Sequence, residues 1–139
     1  MRLGWKDYVF ETDEINADSV YAACFLGEYD YLIDSLQNTD VVVDAGANIG
    51  AFSVIASKKV NKVFAIEPHP KAFSFLCANV RLNNCYNVVP VNAAISDRIG
   101  PAHLVGLGKV LTSANQGCRS GRRLWIRLPQ IMLQSSRWT

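Results

Sequence analysis

The sequence predicts an α/β fold, a parallel sheet layered between helices, and three observations carry that prediction. Residues 41–44 read Val-Val-Val-Asp, an unbroken apolar run closed by an acid and followed by the glycine-bearing turn Ala-Gly-Ala-Asn-Ile-Gly. A second run, Lys-Val-Phe-Ala-Ile-Glu over 62–67, ends in another acid 23 residues past Asp44. Between them, residues 49–59 have the composition of a helix. Strand, turn, helix and strand in that order make a parallel crossover unit, and uninterrupted apolar strands fit burial on both faces.

The elements follow in chain order. Residues 1–12 hold one or two short strands, the clearest over Tyr8-Val9-Phe10. Asn16 or Asp18 can cap a helical stretch that runs through Ala23. Positions 29, 32, 33 and 36 are apolar, the i, i+3, i+4, i+7 stripe of a helix. Asp40 opens the first core strand, 41–44. The helix over 49–59 closes on Lys58 and Lys59, whose charge suits the negative end of its dipole. The second strand is 62–67. Pro70 is placed to start the next helix, 70–83, with Phe73, Leu76, Cys77 and Val80 on one face and Asn83-Asn84 to end it. The third strand, 87–91, contains Pro90, which belongs on a sheet edge because it cannot donate to a ladder. The predicted order is therefore 3-2-1, part of a Rossmann-like sheet. Residues 103–107 and 124–128 could form further strands.

Ligands of such sheets bind beyond the carboxyl ends of the strands, and the turn says which ligand. A dinucleotide fingerprint needs G-x-G-x-x-G, its second glycine admitting a pyrophosphate. Asn48 stands at that position, so its side chain crowds a phosphate. S-adenosylmethionine has no phosphate. Asp44 can hold its ammonium directly or through water, Gly46 clears room beside the strand, and Glu67, an acceptor when ionised, suits the two ribose hydroxyls.

Val-Asp-Ala-Gly-Ala-Asn-Ile-Gly, Ala-Ile-Glu-Pro-His-Pro and Val-Asn-Ala-Ala-Ile-Ser-Asp together resemble the FkbM family of S-adenosylmethionine-dependent methyltransferases, over about residues 27–101. The resemblance implies O-methylation of a sugar or small-molecule hydroxyl. It implies a cofactor loop of Asp44, Gly46, Ala47, Asn48 and Gly50, with Glu67 beside Pro68 at the ribose and Asn92 at the adenine. Glu28, in Gly-Glu-Tyr-Asp, resembles an upstream acid near the methionine end. The family's sequences continue with a Lys-x-Asp-x-Glu-Gly strand, which nothing in residues 109–139 matches, so no catalytic residue is named.

At 139 residues the chain is at most one domain. Half its residues are apolar, yet no apolar run reaches the roughly 18 residues that span a bilayer. Its first residues lack a signal peptide's apolar stretch, so a cytoplasmic location is expected. Cys24, Cys77, Cys85 and Cys118 show no C-x-x-C spacing, and His69 and His103 stand apart. Buried free thiols are expected and no metal site. His69 is expected to cap a helix or face solvent rather than the cofactor.

Charge divides the chain. Residues 1–108 hold eight Lys or Arg and all twelve acids, a net −4, whereas 109–139 hold six Lys or Arg and no acid. Pro, Trp and apolar stretches interrupt the basic residues, so neither nucleic acid nor membrane is expected as partner. The expected organisation is a cofactor-binding part over 1–108 and a basic tail over 109–139, from a truncated or frameshifted reading frame or else a genuine short variant. The open edge of strand 41–44 would invite association. Two other functions compete: a non-catalytic module completed by a partner chain, and an NAD-dependent oxidoreductase, which Asn48 disfavours.

Overall fold

The computed structural model describes residues 1–95 in full and residues 102–105 and 109–112 as backbone. An N-terminal hairpin pairs β1 (Arg2–Trp5) antiparallel with β2 (Tyr8–Glu11). Two short helices follow, α1 (Ala17–Cys24) and α2 (Asp30–Ser35). The central unit is β3 (Val41–Ala45), α3 (Ala51–Ala56), β4 (Lys62–Ile66), α4 (Pro70–Leu82) and β5 (Val88–Val91). A separate antiparallel pair joins β6 (Ala102–Val105) to β7 (Lys109–Thr112). The expected strand at 124–128 lies outside the described residues.

The three central strands are parallel, in the order β3-β4-β5, which is the predicted 3-2-1 arrangement. β4 lies in the middle and is the most deeply covered, with Val63, Ala65 and Ile66 all buried. Pro90 sits opposite Ala65 on the edge strand β5, where its missing N–H costs no interior ladder bond. Among the described residues β3 has a strand partner only at β4, and Val41 is exposed.

Three local expectations are refined. Helix α3 is six residues long rather than eleven. Gly50 at φ +85° sets its N-terminus, and the winding beyond Ala56 tightens into turns, with Lys58 N–H donating to Ile55 O and Lys59 N–H to Ala56 O. Lys58 and Lys59 do not serve their own helix end. Lys58 Nζ donates to the carbonyl of Asn83 at the C-terminus of α4 (3.0 Å), and Lys59 pairs with Asp34. Asn16 does hold the N-cap position of α1, but its side chain makes no cap bond; Asp13 Oδ1 accepts from Asn16's own N–H and amide.

Helix α4 begins with Pro70 at its first position after His69, whose ring nitrogen accepts from Ala72 N–H at 3.5 Å. It ends at Asn83, with Asn84 at φ +53°. Of its expected apolar face, Leu76 and Val80 are buried while Phe73 and Cys77 are half-buried. Asn79 and Asn83 are also buried and clasp the edge of β2. Asn83 accepts from Val9 N–H and donates to Val9 O, and Asn79 does the same for Glu11. Two side-chain amides one helical turn apart thus pair with alternate residues of a strand, as a neighbouring strand would. Lys71, at the start of α4, pairs with Asp13 at 2.6 Å. Among the described residues no helix is long and apolar enough to cross a membrane.

Candidate cofactor site at the strand ends

The turn after β3 alternates into left-handed backbone: Gly46 at φ +82°, Asn48 at +50° and Gly50 at +85°. Asn is one of the few residues with a side chain that tolerates this region. Four of the turn's amides are engaged within the protein. Gly46 and Ala47 N–H both donate to Ile66 O, Gly50 N–H donates to Ala47 O, and Asn48 N–H donates to Glu67 Oε2 at 2.8 Å. A pyrophosphate would need those donors, so the backbone disfavours a dinucleotide independently of the Asn48 side chain.

The two terminal glycines do different work. A Cβ on Gly46 would meet no atom within 4 Å, so this position faces open space. A Cβ on Gly50 would lie 2.5 Å from Leu76 Cδ1, so this glycine exists to let α4 pack against the turn. Ala47 is buried in the core, with both its N–H and its carbonyl already bonded, and presents no side chain to a ligand.

Glu67, just past β4, is buried and held by two backbone amides: Asn48 N–H on one oxygen and His69 N–H on the other at 2.7 Å. Each oxygen keeps a free lone pair, the acceptor capacity that a ribose diol requires. Burial raises its pKa, opposed by the His69 and Asn48 amides and by the nearby His69 ring. Asp44, at the end of β3, is pushed up to about 6, first by burial and then by the charge of Glu67, with Ser53 pulling the other way. Ser53 Oγ, fully buried on α3, donates to Asp44 Oδ2 at 2.5 Å.

Asn92, past β5, donates from Nδ2 to the carbonyl of Glu67 at 2.8 Å and more weakly to that of Pro68 at 3.4 Å. It thereby ties the end of β5 to the end of β4, and Pro68 contributes a carbonyl to that tie. Glu28 is exposed on the loop before α2. Its charge and that of Asp44 both act on the phenol of Tyr29, whose pKa is raised by burial, then Glu28, then Asp44. Tyr29 packs edge-on against Phe52 of α3 at 5.1 Å between centroids. Tyr29 and Ser53 are the neighbours that sequence reasoning did not select. Only Ser53 left a signal, a hydroxyl at an interior position of a helix that follows the acid.

The open space at Gly46 and the spare acceptors of Glu67 fit a phosphate-free nucleoside with a charged amino-acid end. A model of the TRM5/TYW2 methyltransferase domain matches residues 11–105. The chain belongs to the TRM5/TYW2 methyltransferase family. This domain is an S-adenosylmethionine-dependent methyltransferase domain. Among its relatives, the tRNA(Phe) (4-demethylwyosine(37)-C(7)) aminocarboxypropyltransferase of Methanocaldococcus jannaschii is 45% identical over 56 residues, 39% of this chain and 22% of that protein. The tRNA (guanine(37)-N(1))-methyltransferase Trm5b of Pyrococcus abyssi is 42% identical over 55 residues, 40% of this chain and 17% of that protein. The crystal structure of the Pyrococcus abyssi Trm5b superposes with a TM-score of 0.56 at 28% identity, over 65% of this chain and 27% of that one. The chain thus spans about a fifth of the length of these two relatives.

Two expectations are corrected. The resemblance to the FkbM family yields to TRM5/TYW2. The motifs behind it build the Gly46–Gly50 turn and place Glu67 at the strand ends, and they carry no information on the acceptor. The expectation of no nucleic-acid partner is overturned by relatives whose names specify tRNA.

Proposed function

We propose that this chain is the cofactor-binding portion of an S-adenosylmethionine-dependent methyltransferase that acts on a tRNA base rather than on a sugar hydroxyl. The observation that carries the cofactor reading is the Glu67 carboxylate, fixed by two amides with acceptors to spare beside the open side of Gly46. The names of the tRNA-modifying relatives support the acceptor reading.

S-adenosylmethionine supplies an electrophilic methyl group on its sulfonium. Glu67 receives the ribose hydroxyls, Asp44 receives the ammonium, and Gly46 leaves room for the nucleoside to lie against the turn. Asn92 braces the Glu67–Pro68 backbone, with its own Oδ1 left to face the adenine. Tyr29, whose phenol feels the charges of both Glu28 and Asp44, stands with them at the amino-acid end of the site. Methyl transfer depends on holding the acceptor in line with the leaving sulfur, and residues 1–95 supply the cofactor side of that alignment.

The Methanocaldococcus jannaschii relative transfers an aminocarboxypropyl group, which favours a second reading: the same cofactor cleaved at a different carbon–sulfur bond. The co-product separates the two. Methyl transfer leaves S-adenosylhomocysteine, and aminocarboxypropyl transfer leaves methylthioadenosine. Calorimetry with S-adenosylhomocysteine tests the shared site. Glu67→Ala removes a charge-assisted acceptor pair and is expected to weaken binding by about tenfold or more, roughly 1.5–3 kcal/mol. Equal affinities for the two proteins would remove the ribose role, and equal binding of NAD would remove the cofactor reading.

A further inference from the structure

We infer that Asn79 is a positioning residue for the cofactor turn, coupling the N-terminal hairpin to the geometry that holds Glu67; this rests on the cofactor reading above. Asn79 is fully buried on α4, far in sequence from both segments it touches. Its Oδ1 accepts from Glu11 N–H at 2.6 Å. Its Nδ2 donates twice, to Glu11 O at 3.0 Å and to Ile49 O at 2.8 Å. All the hydrogen-bonding capacity of this amide except one acceptor lone pair is thus committed to two backbones.

The bond to Ile49 decides the consequence. The peptide unit joining Ile49 to Gly50 is gripped at both ends: its carbonyl by Asn79, and its N–H by Ala47 O at 2.8 Å. One residue earlier, Asn48 N–H points at Glu67 Oε2, and Asn48 and Gly50 both sit at positive φ. Rotating the gripped peptide would change the torsions at Ile49 and Gly50 and break the Gly50–Ala47 bond that closes the turn whose Asn48 amide meets the carboxylate. Without the Asn79 amide, Ile49 O would lose a buried donor, and a buried unpaired carbonyl favours such a rotation. Asn83, one turn further along the same helix face, clasps Val9 in the same way but makes no bond to the turn. Its Nδ2 also donates to Asn79 O at 2.8 Å, one turn back on the same helix, so it is an internal control for the hairpin clasp without the bond to the turn.

The test compares Asn79→Ala and Asn83→Ala in the full chain, by calorimetry with S-adenosylhomocysteine and by urea unfolding. Both should lose stability, because both lose the clasp on β2. Only Asn79→Ala should also lose cofactor affinity, by about tenfold, with Asn83→Ala within about twofold of the unmodified chain. Equal affinity losses, or none, would overturn the inference and leave Asn79 a purely structural clasp. Hydrogen exchange on the unmodified chain gives the answer even if Asn79→Ala does not fold. Bound S-adenosylhomocysteine should slow exchange of the Glu11 amide several-fold more than that of Val9, since only Glu11 hangs on the residue that touches the turn. Equal slowing of the two amides would overturn the coupling. No binding by the unmodified chain would overturn the cofactor reading and this inference together, whereas binding without the Asn79 effect overturns this inference alone.

Discussion

Asp44 carries the clearest electrostatic consequence. Its carboxyl, ordinarily at 3.8, is pushed up to about 6 by burial and by the charge of Glu67, against the pull of the Ser53 hydroxyl. Between these two values the folded chain holds a proton that the unfolded chain has released. The group's contribution to stability is therefore greatest below pH 3.8, declines as pH rises toward 6, and is constant above. A cofactor ammonium placed against Asp44 reverses the preference by stabilising the ionised form. Binding of S-adenosylhomocysteine should then release a proton near pH 6 and tighten from about pH 5 to about pH 7. Calorimetry in two buffers of different ionisation enthalpy measures that release, and Asp44→Asn should reduce it. A pH-independent affinity with no proton release would show that Asp44 does not face the ammonium. At this scale the sequence is informative about groups at strand ends, because an acid closing an apolar run has few structural reasons to be there. Tyr29 is not legible in the same way, because its place arises from packing against Phe52 of α3, which no local spacing encodes, and Ser53 shows only as a hydroxyl in the helix after the acid.

The turn and α4 form the next level, and the two glycines separate what each contributes. Gly50→Ala would place a methyl 2.5 Å from a carbon of fully buried Leu76, at a backbone angle unfavourable to alanine. Destabilisation of about 2–3 kcal/mol in urea is expected, from overpacking together with left-handed strain. Gly46→Ala meets no neighbour within 4 Å, so only the strain of about 1 kcal/mol should appear in stability. Its methyl would instead enter the open space assigned to the cofactor in the proposed function, and S-adenosylhomocysteine affinity should then fall about tenfold or more. If Gly50→Ala proved the milder change in urea, or Gly46→Ala bound normally, the division of labour would be wrong. The parallel strands and their order are legible because apolar runs, acids and Pro90 each constrain position in a sheet. Helix ends are less so: the eleven-residue helix expected over 49–59 is broken by the left-handed Gly50 and by tightened turns after Ala56. The clasp by Asn79 and Asn83 is illegible for a sharper reason. Apolar periodicity finds the face that meets other apolar groups, and these buried positions meet a strand's backbone, which demands amides.

Across the whole molecule, charge and acceptor pull in opposite directions until the chain is divided. Residues 1–108 carry a net −4, a poor match for a polyanion, while residues 109–139 carry six Lys or Arg and no acid. If the acceptor is a tRNA, as proposed, that second stretch is the natural source of phosphate contacts within this chain. Interruption by Pro and Trp does not weaken the argument, since phosphate contacts need charge rather than a continuous run, and aromatic side chains can stack on unpaired bases. Binding of tRNA should weaken steeply with salt, as counterions released from the phosphates are replaced. Replacing Arg122 and Arg123 together with Gln should lower affinity for different tRNAs by similar factors. The slope of log affinity against log salt should become shallower by about 1 for each phosphate that these two arginines neutralise. Cofactor affinity should be unchanged, because Asp44 and Glu67 draw their bonds from within residues 44–69. An unaltered salt slope in that double variant would mean that this arginine pair does not touch the phosphates, and that any tRNA contact must come from elsewhere in the chain or from outside it.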